Sequence, residues 1–343
     1  MTAVTAAVLA VGHNGAALAG GRRAWQAGDA VATTRTTADG EGADEVMDMQ
    51  RLSIAAALAA AFAVATPAVA ADPRAPDTTL SFKSADGKTT LTGYFWNAKR
   101  AGARPAVVLM HGCGGAYSAD ADTFDATTVA SQYREWGGRL SAAGYGVLLV
   151  DSFGPRGHGG GVCDIPYEDR PAKLNEVTVR PLDAVGALQA LRKQDRVLQR
   201  PVALVGFSNG GSAVLSTVAK TGPAVWKKDV TKPAAWFVGA AAFYPGCGLQ
   251  GEFDGAWEPT IPTHLFVGTA DTTTPPSPDC DERFTEALER EAPAMMASYL
   301  GATHGFDRAS AGSTDFAKAA NAAAKVSALA TMDTLLRSWM RKP

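Results

Sequence analysis

The run Val202-Ala203-Leu204-Val205-Gly206-Phe207-Ser208-Asn209-Gly210 decides how this chain is read. The apolar residues predict a short buried strand, and the G-x-S-x-G that follows predicts a sharp turn from strand into helix. At such a turn the serine is held in a strained backbone conformation with its hydroxyl pointing outward. Gly206 and Gly210 flank it because a side chain at either place would collide with the neighbouring strand or helix. The pentapeptide alone is a weak signal, because this chain has 36 glycines and such patterns arise by chance. Its weight comes from what surrounds it, and in what order.

A nucleophilic serine needs a base, an orienting acid and donors for the negative charge that develops. On a strand-turn-helix serine of this kind the chain order is serine, then acid, then histidine. Downstream of Ser208 there are two histidines, His264 and His304. His264 lies inside the apolar run Ile261–Gly268 and reads as a packed strand histidine. His304 lies in Gly301-Ala302-Thr303-His304-Gly305-Phe306-Asp307, a loop after the last predicted strand, and is the candidate base. Asp271, on the loop after the strand that ends at Gly268, is the candidate acid. Its competitors Asp279 and Asp281 read better as caps of the helix that begins near Asp281, where a carboxylate satisfies free N–H groups.

The charge donors should be two backbone amides. One is the N–H of Asn209, the residue after the serine. The other is expected on a glycine-rich loop after an earlier strand, and His111-Gly112-Cys113-Gly114-Gly115 follows the strand Ala106–Met110. The second donor is assigned to Cys113, with Gly114 as the alternative, and His111 is expected to brace the loop by hydrogen bonding.

The set HGCGG, DSFGPRG, GFSNG, YPGCG, GTAD and THGF resembles the dienelactone hydrolase family, over roughly Leu80 to Met340. The resemblance implies an α/β-hydrolase fold, no cofactor, and cleavage of an ester or lactone through an acyl-enzyme. It implies Ser208 as nucleophile, Asp271 as acid and His304 as base. One departure matters: the namesake enzymes carry a cysteine nucleophile where this chain has Ser208. A serine depends more on its histidine than a thiol does, which favours a more ordinary esterase over a dienelactone substrate. Arg156, in Asp151-Ser152-Phe153-Gly154-Pro155-Arg156-Gly157, is a candidate for binding a substrate carboxylate; the competing reading is an arginine that pins the loop. Tyr117, Phe153 and Tyr167 are candidates for the substrate wall, set against simple packing beneath the loops.

Residues 49–71 carry a basic residue at Arg51, an apolar stretch from Leu52 to Ala65 and the A-x-A motif Ala68-Val69-Ala70. This reads as a signal peptide placed about 48 residues into the chain. The simplest explanation is an over-extended reading frame, with residues 1–48 a leader, residues 49–70 the signal and residues 71–343 the hydrolase-like domain. The apolar stretch is too short and alanine-rich for a stable membrane anchor, so a periplasmic or secreted protein is expected. Export changes the meaning of the four cysteines, Cys113, Cys163, Cys247 and Cys280, which then read as disulfides. Of the three pairings, Cys113 with Cys163 and Cys247 with Cys280 is favoured. Each pair joins loops that follow different strands and should meet at one edge of the sheet. Buried free thiols are the alternative. No C-x-x-C or His/Cys spacing suggests zinc or another metal.

Strand-helix alternation after an initial hairpin predicts an α/β fold with a mostly parallel, doubly wound sheet and helices on both faces. The interval between Tyr244 and Thr263 leaves no room for a large lid domain. A formal net charge of −2 gives no nucleic-acid footprint. The expected partner is a small-molecule ester or lactone. Two rival readings keep the fold: a peptidase or amidase using the same residues, and a catalytically silent binding protein.

Overall fold

Alternating residues of the parallel strands pack into two separate cores, and this sets the architecture. In the computed structural model, which describes residues 74–220, 237–249, 257–274, 279–308 and 311–341, Val108 and Met110 face one core while Val107 and Leu109 face the other. Leu204 and Val205 divide in the same way. A strand with period-two side chains that is apolar on both faces must be covered on both faces. The sequence between the strands supplies the covering helices.

The strands are β1 (Thr78–Lys83), β2 (Thr90–Trp96), β3 (Arg104–Met110), β4 (Gly146–Asp151), β5 (Val197–Phe207), β6 (Ala240–Phe243), β7 (Thr263–Gly268) and β8 (Ala294–Tyr299). They form one sheet in the order β1-β2-β4-β3-β5-β6-β7-β8. β2 runs antiparallel to β1 and to β4, and the remaining pairs are parallel. The helices are α1 (Ser131–Ala143), α2 (Arg180–Leu191), α3 (Asn209–Val218), α4 (Asp279–Glu289) and α5 (Asp315–Trp339). Buried residues of α2 and α3 join the core of Val108, while those of α1 and α5 join the core of Val107. This is the mixed, mostly parallel α/β sheet expected from the alternation.

Boundaries differ from the sequence reading where side chains intervene. The sequence from Glu176 to Lys193 predicts a helix, but α2 begins at Arg180, because the Asn175 side chain takes the amides of Val177 and Thr178 and holds the residues before Arg180 in a turn. The last helix starts after Thr314, whose hydroxyl accepts from the Ala317 amide. The proposed leader and signal peptide lie outside the described residues. Among the described residues no helix is long and apolar enough to cross a membrane.

Candidate active site

The turn after β5 has the strain that its sequence predicts. Ser208 sits at φ 53° and ψ −122°, a conformation that residues with a Cβ rarely adopt. Its amide donates to the Phe243 carbonyl at 2.9 Å, which fixes the turn to the end of β6. A Cβ on Gly206 would lie 2.1 Å from the Gly210 carbonyl oxygen, and one on Gly210 would lie 2.2 Å from that of Met110. Glycine is therefore needed at both places for the strand to reverse into α3 beside β3.

Parallel strands end on the same edge, so the loops after β3, β5, β7 and β8 meet there. Ser208 Oγ lies 3.0 Å from His304 Nε2, and His304 Nδ1 lies 2.8 Å from Asp271 Oδ2. These three residues are 33 and 96 positions apart in the chain, measured from His304. Asp271 is held in turn: Oδ1 accepts from the amides of Thr273 and Thr274, and Oδ2 accepts from the Thr274 hydroxyl. Burial works to raise the Asp271 pKa, but the hydrogen bond and charge of His304 and the Thr274 donors outweigh it. The carboxyl is held below its ordinary range.

The loop that carries His304 is anchored by Asp307, which the sequence reading passed over. Asp307 is buried and accepts from Trp136 Nε1 at 2.7 Å, the Tyr244 hydroxyl at 2.6 Å and Gln132 Nε2. The Tyr244 ring also meets the His304 imidazole edge-on, with centroids 4.7 Å apart. Asp307 stands three residues after His304 in a motif already noted, but its partners lie 63 to 175 positions away. No local spacing reveals them.

On the other side of Ser208 runs the loop after β3. A Cβ on Gly112 would lie 3.3 Å from that of Ser208, so the loop approaches as closely as a glycine permits. His111 is buried and braces it, as expected. Its Nε2 lies 3.1 Å from the Ser152 amide, which can only donate, and its Nδ1 lies 2.8 Å from the Gly112 carbonyl, which can only accept. The ring is therefore the neutral Nδ1–H tautomer. Burial first, then the nearby Arg180 charge, depresses its pKa well below the usual value. Arg180 is fully buried beneath this loop.

Both disulfides of the favoured pairing are present, Cys113–Cys163 and Cys247–Cys280. The first ties the loop after β3 to the segment between β4 and α2. The second ties the segment after β6 to α4.

Two clefts meet at Ser208. One, of about 480 Å³, is bordered by Asn209, Tyr167, Arg170, Glu176 and Leu249. The other, of about 540 Å³, is bordered by the Gly112–Gly115 loop, Tyr117, Tyr133, Tyr244, His304 and Arg308. Tyr117 and Tyr167 thus stand at the clefts. Tyr117 is itself bonded to Tyr94 and Asp151 through its hydroxyl, at 2.7 Å in each case. Phe153 and Arg156 do not reach the clefts. Phe153 is 1% exposed, wedged between the His111 ring and the Arg180 guanidinium. Arg156 makes a two-pronged bond to the buried Asp183 at 2.7 and 2.8 Å and donates to the Ser152 carbonyl. It pins its loop, because a fork of donors matched to a buried carboxylate leaves no face for a substrate. His264 is a packed strand residue against Phe266, and burial lowers its pKa to about 4. Among the described residues no group of His, Cys, Asp and Glu could hold a metal ion.

Comparison with known structures gives the same fold at low sequence identity. A dienelactone hydrolase-like promiscuous phosphotriesterase from metagenomic libraries superposes with a TM-score of 0.52 at 20% identity, covering 77% of this chain and 98% of that one. Propionate-bound esterase 2 of Thermogutta terrifontis gives 0.53 at 16% identity, covering 80% and 98%. The butyrate-bound form of that esterase gives 0.51 at 18% identity, covering 76% and 95%. A search of curated proteins by sequence found no match. The profile of the dienelactone hydrolase family matches residues 91–339, from β2 to the last residue of α5. On that match, over a sheet with the α/β-hydrolase strand order, the chain belongs to the dienelactone hydrolase family and is a hydrolase of that family.

Proposed function

We propose that this protein is a serine hydrolase that cleaves carboxylic esters or lactones of small substrates through an acyl-enzyme. The observation that carries the reading is the continuous line Ser208 Oγ–His304–Asp271, with contacts of 3.0 and 2.8 Å. His304 Nε2 takes the Ser208 proton as the oxygen attacks the carbonyl carbon. Asp271 accepts from Nδ1–H, fixes that tautomer and stabilises the imidazolium that forms. The negative charge on the carbonyl oxygen is met by the amides of Asn209 and Cys113. Among the described residues no acceptor takes either N–H. The imidazolium then gives its proton to the leaving oxygen, the carbon–oxygen bond breaks, and the alcohol departs. A water deprotonated by the same histidine attacks the acyl-enzyme and releases the acid with Ser208 restored.

The relatives support small acyl groups, since propionate and butyrate are bound in one of them. With Arg156 tied to Asp183, Arg170 and Arg308 are, among the described residues, the cationic side chains that border the clefts. A negatively charged substituent would find its counter-charge there. Export is part of the same proposal, supported by the signal-like residues 49–70 and by two disulfides beside the site.

The test is a p-nitrophenyl ester series, acetate to palmitate, on protein beginning at Ala71, with Ser208→Ala as control. Turnover should peak at short chains, and the substitution should remove nearly all of it while leaving the circular dichroism unchanged. Turnover retained in Ser208→Ala would sink the assignment. Faster cleavage of a matched anilide than of the ester would favour an amidase. No labelling of Ser208 by a fluorophosphonate would favour a binding protein.

A further inference from the structure

Arg180 opens α2 but its guanidinium lies behind the turn after β5, with no exposure to solvent. Nη1 donates to Asn209 Oδ1, and Nη2 donates to the His111 carbonyl at 2.7 Å. These acceptors belong to two different loops, one after β5 and one after β3. Each loop carries one of the two amides assigned above to the negatively charged oxygen. We propose that Arg180 is a positioning residue of the oxyanion hole: its single guanidinium, bonded to both loops at once, fixes the spacing of the Asn209 and Cys113 amides and sets a positive charge behind them. The proposal rests on the serine-hydrolase reading of the site.

The physical argument has three parts. A guanidinium is a rigid planar fork, so two loops bonded to its two terminal nitrogens are fixed relative to each other; the three donors of a lysine sit on one rotatable nitrogen and impose no such spacing. Preorganised donors stabilise the transition state because they need not reorganise when charge develops, so a small change in their spacing is expressed in rate. The other end of the Cys113 peptide is also held. The Gly112 carbonyl, which shares a peptide with the Cys113 N–H, accepts from His111 Nδ1–H at 2.8 Å, and a hydrogen bond at one end of a peptide strengthens the donor at the other. Arg180 holds the His111 carbonyl one peptide earlier. Burying a guanidinium is costly unless charge and polar contacts compensate. Here Asp183 and Glu176 supply opposite charge, and the Phe153 ring faces the cation at 4.9 Å. Burial lowers the Arg180 pKa to about 10, so the group remains charged at neutral pH.

The experiment compares wild type, Arg180→Met, Arg180→Lys and Asn209→Ala, all beginning at Ala71. The readouts are kcat and KM for p-nitrophenyl butyrate, and inhibition by an alkyl trifluoromethyl ketone and by the corresponding secondary alcohol. The ketone adds to Ser208 Oγ and places a charged oxygen in the hole, whereas the alcohol cannot. Arg180→Met is expected to lower kcat about 100-fold, the scale of one lost oxyanion donor, with KM within about threefold. Ketone affinity should fall by the same factor while alcohol affinity holds. Arg180→Lys keeps the charge without the fork and should recover only part of the loss. A folded Arg180→Met with kcat within about threefold of wild type would overturn the proposal, as would a loss confined to KM with the ketone-to-alcohol ratio unchanged. If Arg180→Met does not fold, Asn209→Ala decides: it cuts one end of the clamp and should lower kcat about tenfold with the same loss of ketone preference. Full kcat in Asn209→Ala would overturn the clamp. A wild-type protein that neither cleaves the ester nor reacts with a fluorophosphonate fails the functional reading itself, and the clamp falls with it.

Discussion

Ser208 carries a cost and a benefit in a single residue. Its positive φ is unfavourable for any side chain, and in the same turn its hydroxyl faces His304 Nε2 at 3.0 Å. Such strain is worth about 1–3 kcal/mol, against about 0.5–1 kcal/mol of extra unfolded-state entropy for a glycine. Ser208→Gly should therefore be more stable than Ser208→Ala by about 1 kcal/mol in urea unfolding, though both lack the hydroxyl. Equal stability would show that the turn is not strained. Asp271 makes the complementary case. Asp271→Asn keeps the shape but spoils the tautomer of His304, and should lower kcat about 10⁴-fold. Its folded-state pKa is lowered, so the carboxylate form is the one that the fold favours. That contribution is complete above the ordinary carboxylate pKa near 4 and is lost as pH falls through the lower folded value. The stability gap between wild type and Asp271→Asn should accordingly be constant at neutral pH and narrow below about pH 4. A gap that widened in acid would contradict the direction of the shift.

At the scale of the element, the loops at the strand ends are tied down by covalent bonds as well as hydrogen bonds. The Cys113–Cys163 bridge spans 50 positions and Cys247–Cys280 spans 33. Loops of that length correspond to about 4 kcal/mol each in the chain-entropy description. Removing either bridge by paired serine substitutions should lower stability by up to that amount, read from denaturant midpoints. The two should differ in activity. Losing Cys113–Cys163 frees the loop that carries a proposed charge donor and should lower kcat. Losing Cys247–Cys280 should change stability more than rate. Equal kcat in the two pairs of variants would mean that the first bridge only stabilises the fold. The pairing was legible from topology, because loops after parallel strands converge on one edge whatever their length. The start of α2 was not, because Asn175 captures two amides that a propensity reading assigns to the helix.

Across the whole molecule, Asp307 joins three parts of the chain: Gln132 and Trp136 on α1, Tyr244 after β6, and the His304 loop after β8. Asp307→Ala would leave a tyrosine hydroxyl and an indole N–H without their buried acceptor, at about 1–3 kcal/mol for each unsatisfied group. We expect a loss of about 3 kcal/mol in stability together with a lower kcat, because His304 loses its anchor. An unchanged kcat in folded Asp307→Ala would separate the network from the base. The cost is shared among side chains from distant elements, so Trp136→Phe and Asp307→Ala should combine to less than the sum of their separate effects.

By itself the sequence determined the sheet, the serine turn, the residues later found in line with it, and the cysteines that pair. These are written in local terms: apolar runs of strand length, glycines where a Cβ cannot fit, and loop residues placed by the ends of parallel strands. Only the tertiary structure decided that Arg156 meets Asp183, that Phe153 lies under Arg180, that Asp307 meets Trp136 and Tyr244, and that Arg180 meets Asn209 and the His111 carbonyl. Hydrophobic periodicity tells which face of an element is buried. It does not tell where a long polar side chain ends, because that is set by whichever donors and acceptors folding brings within about 3 Å of it, the reach of a hydrogen bond.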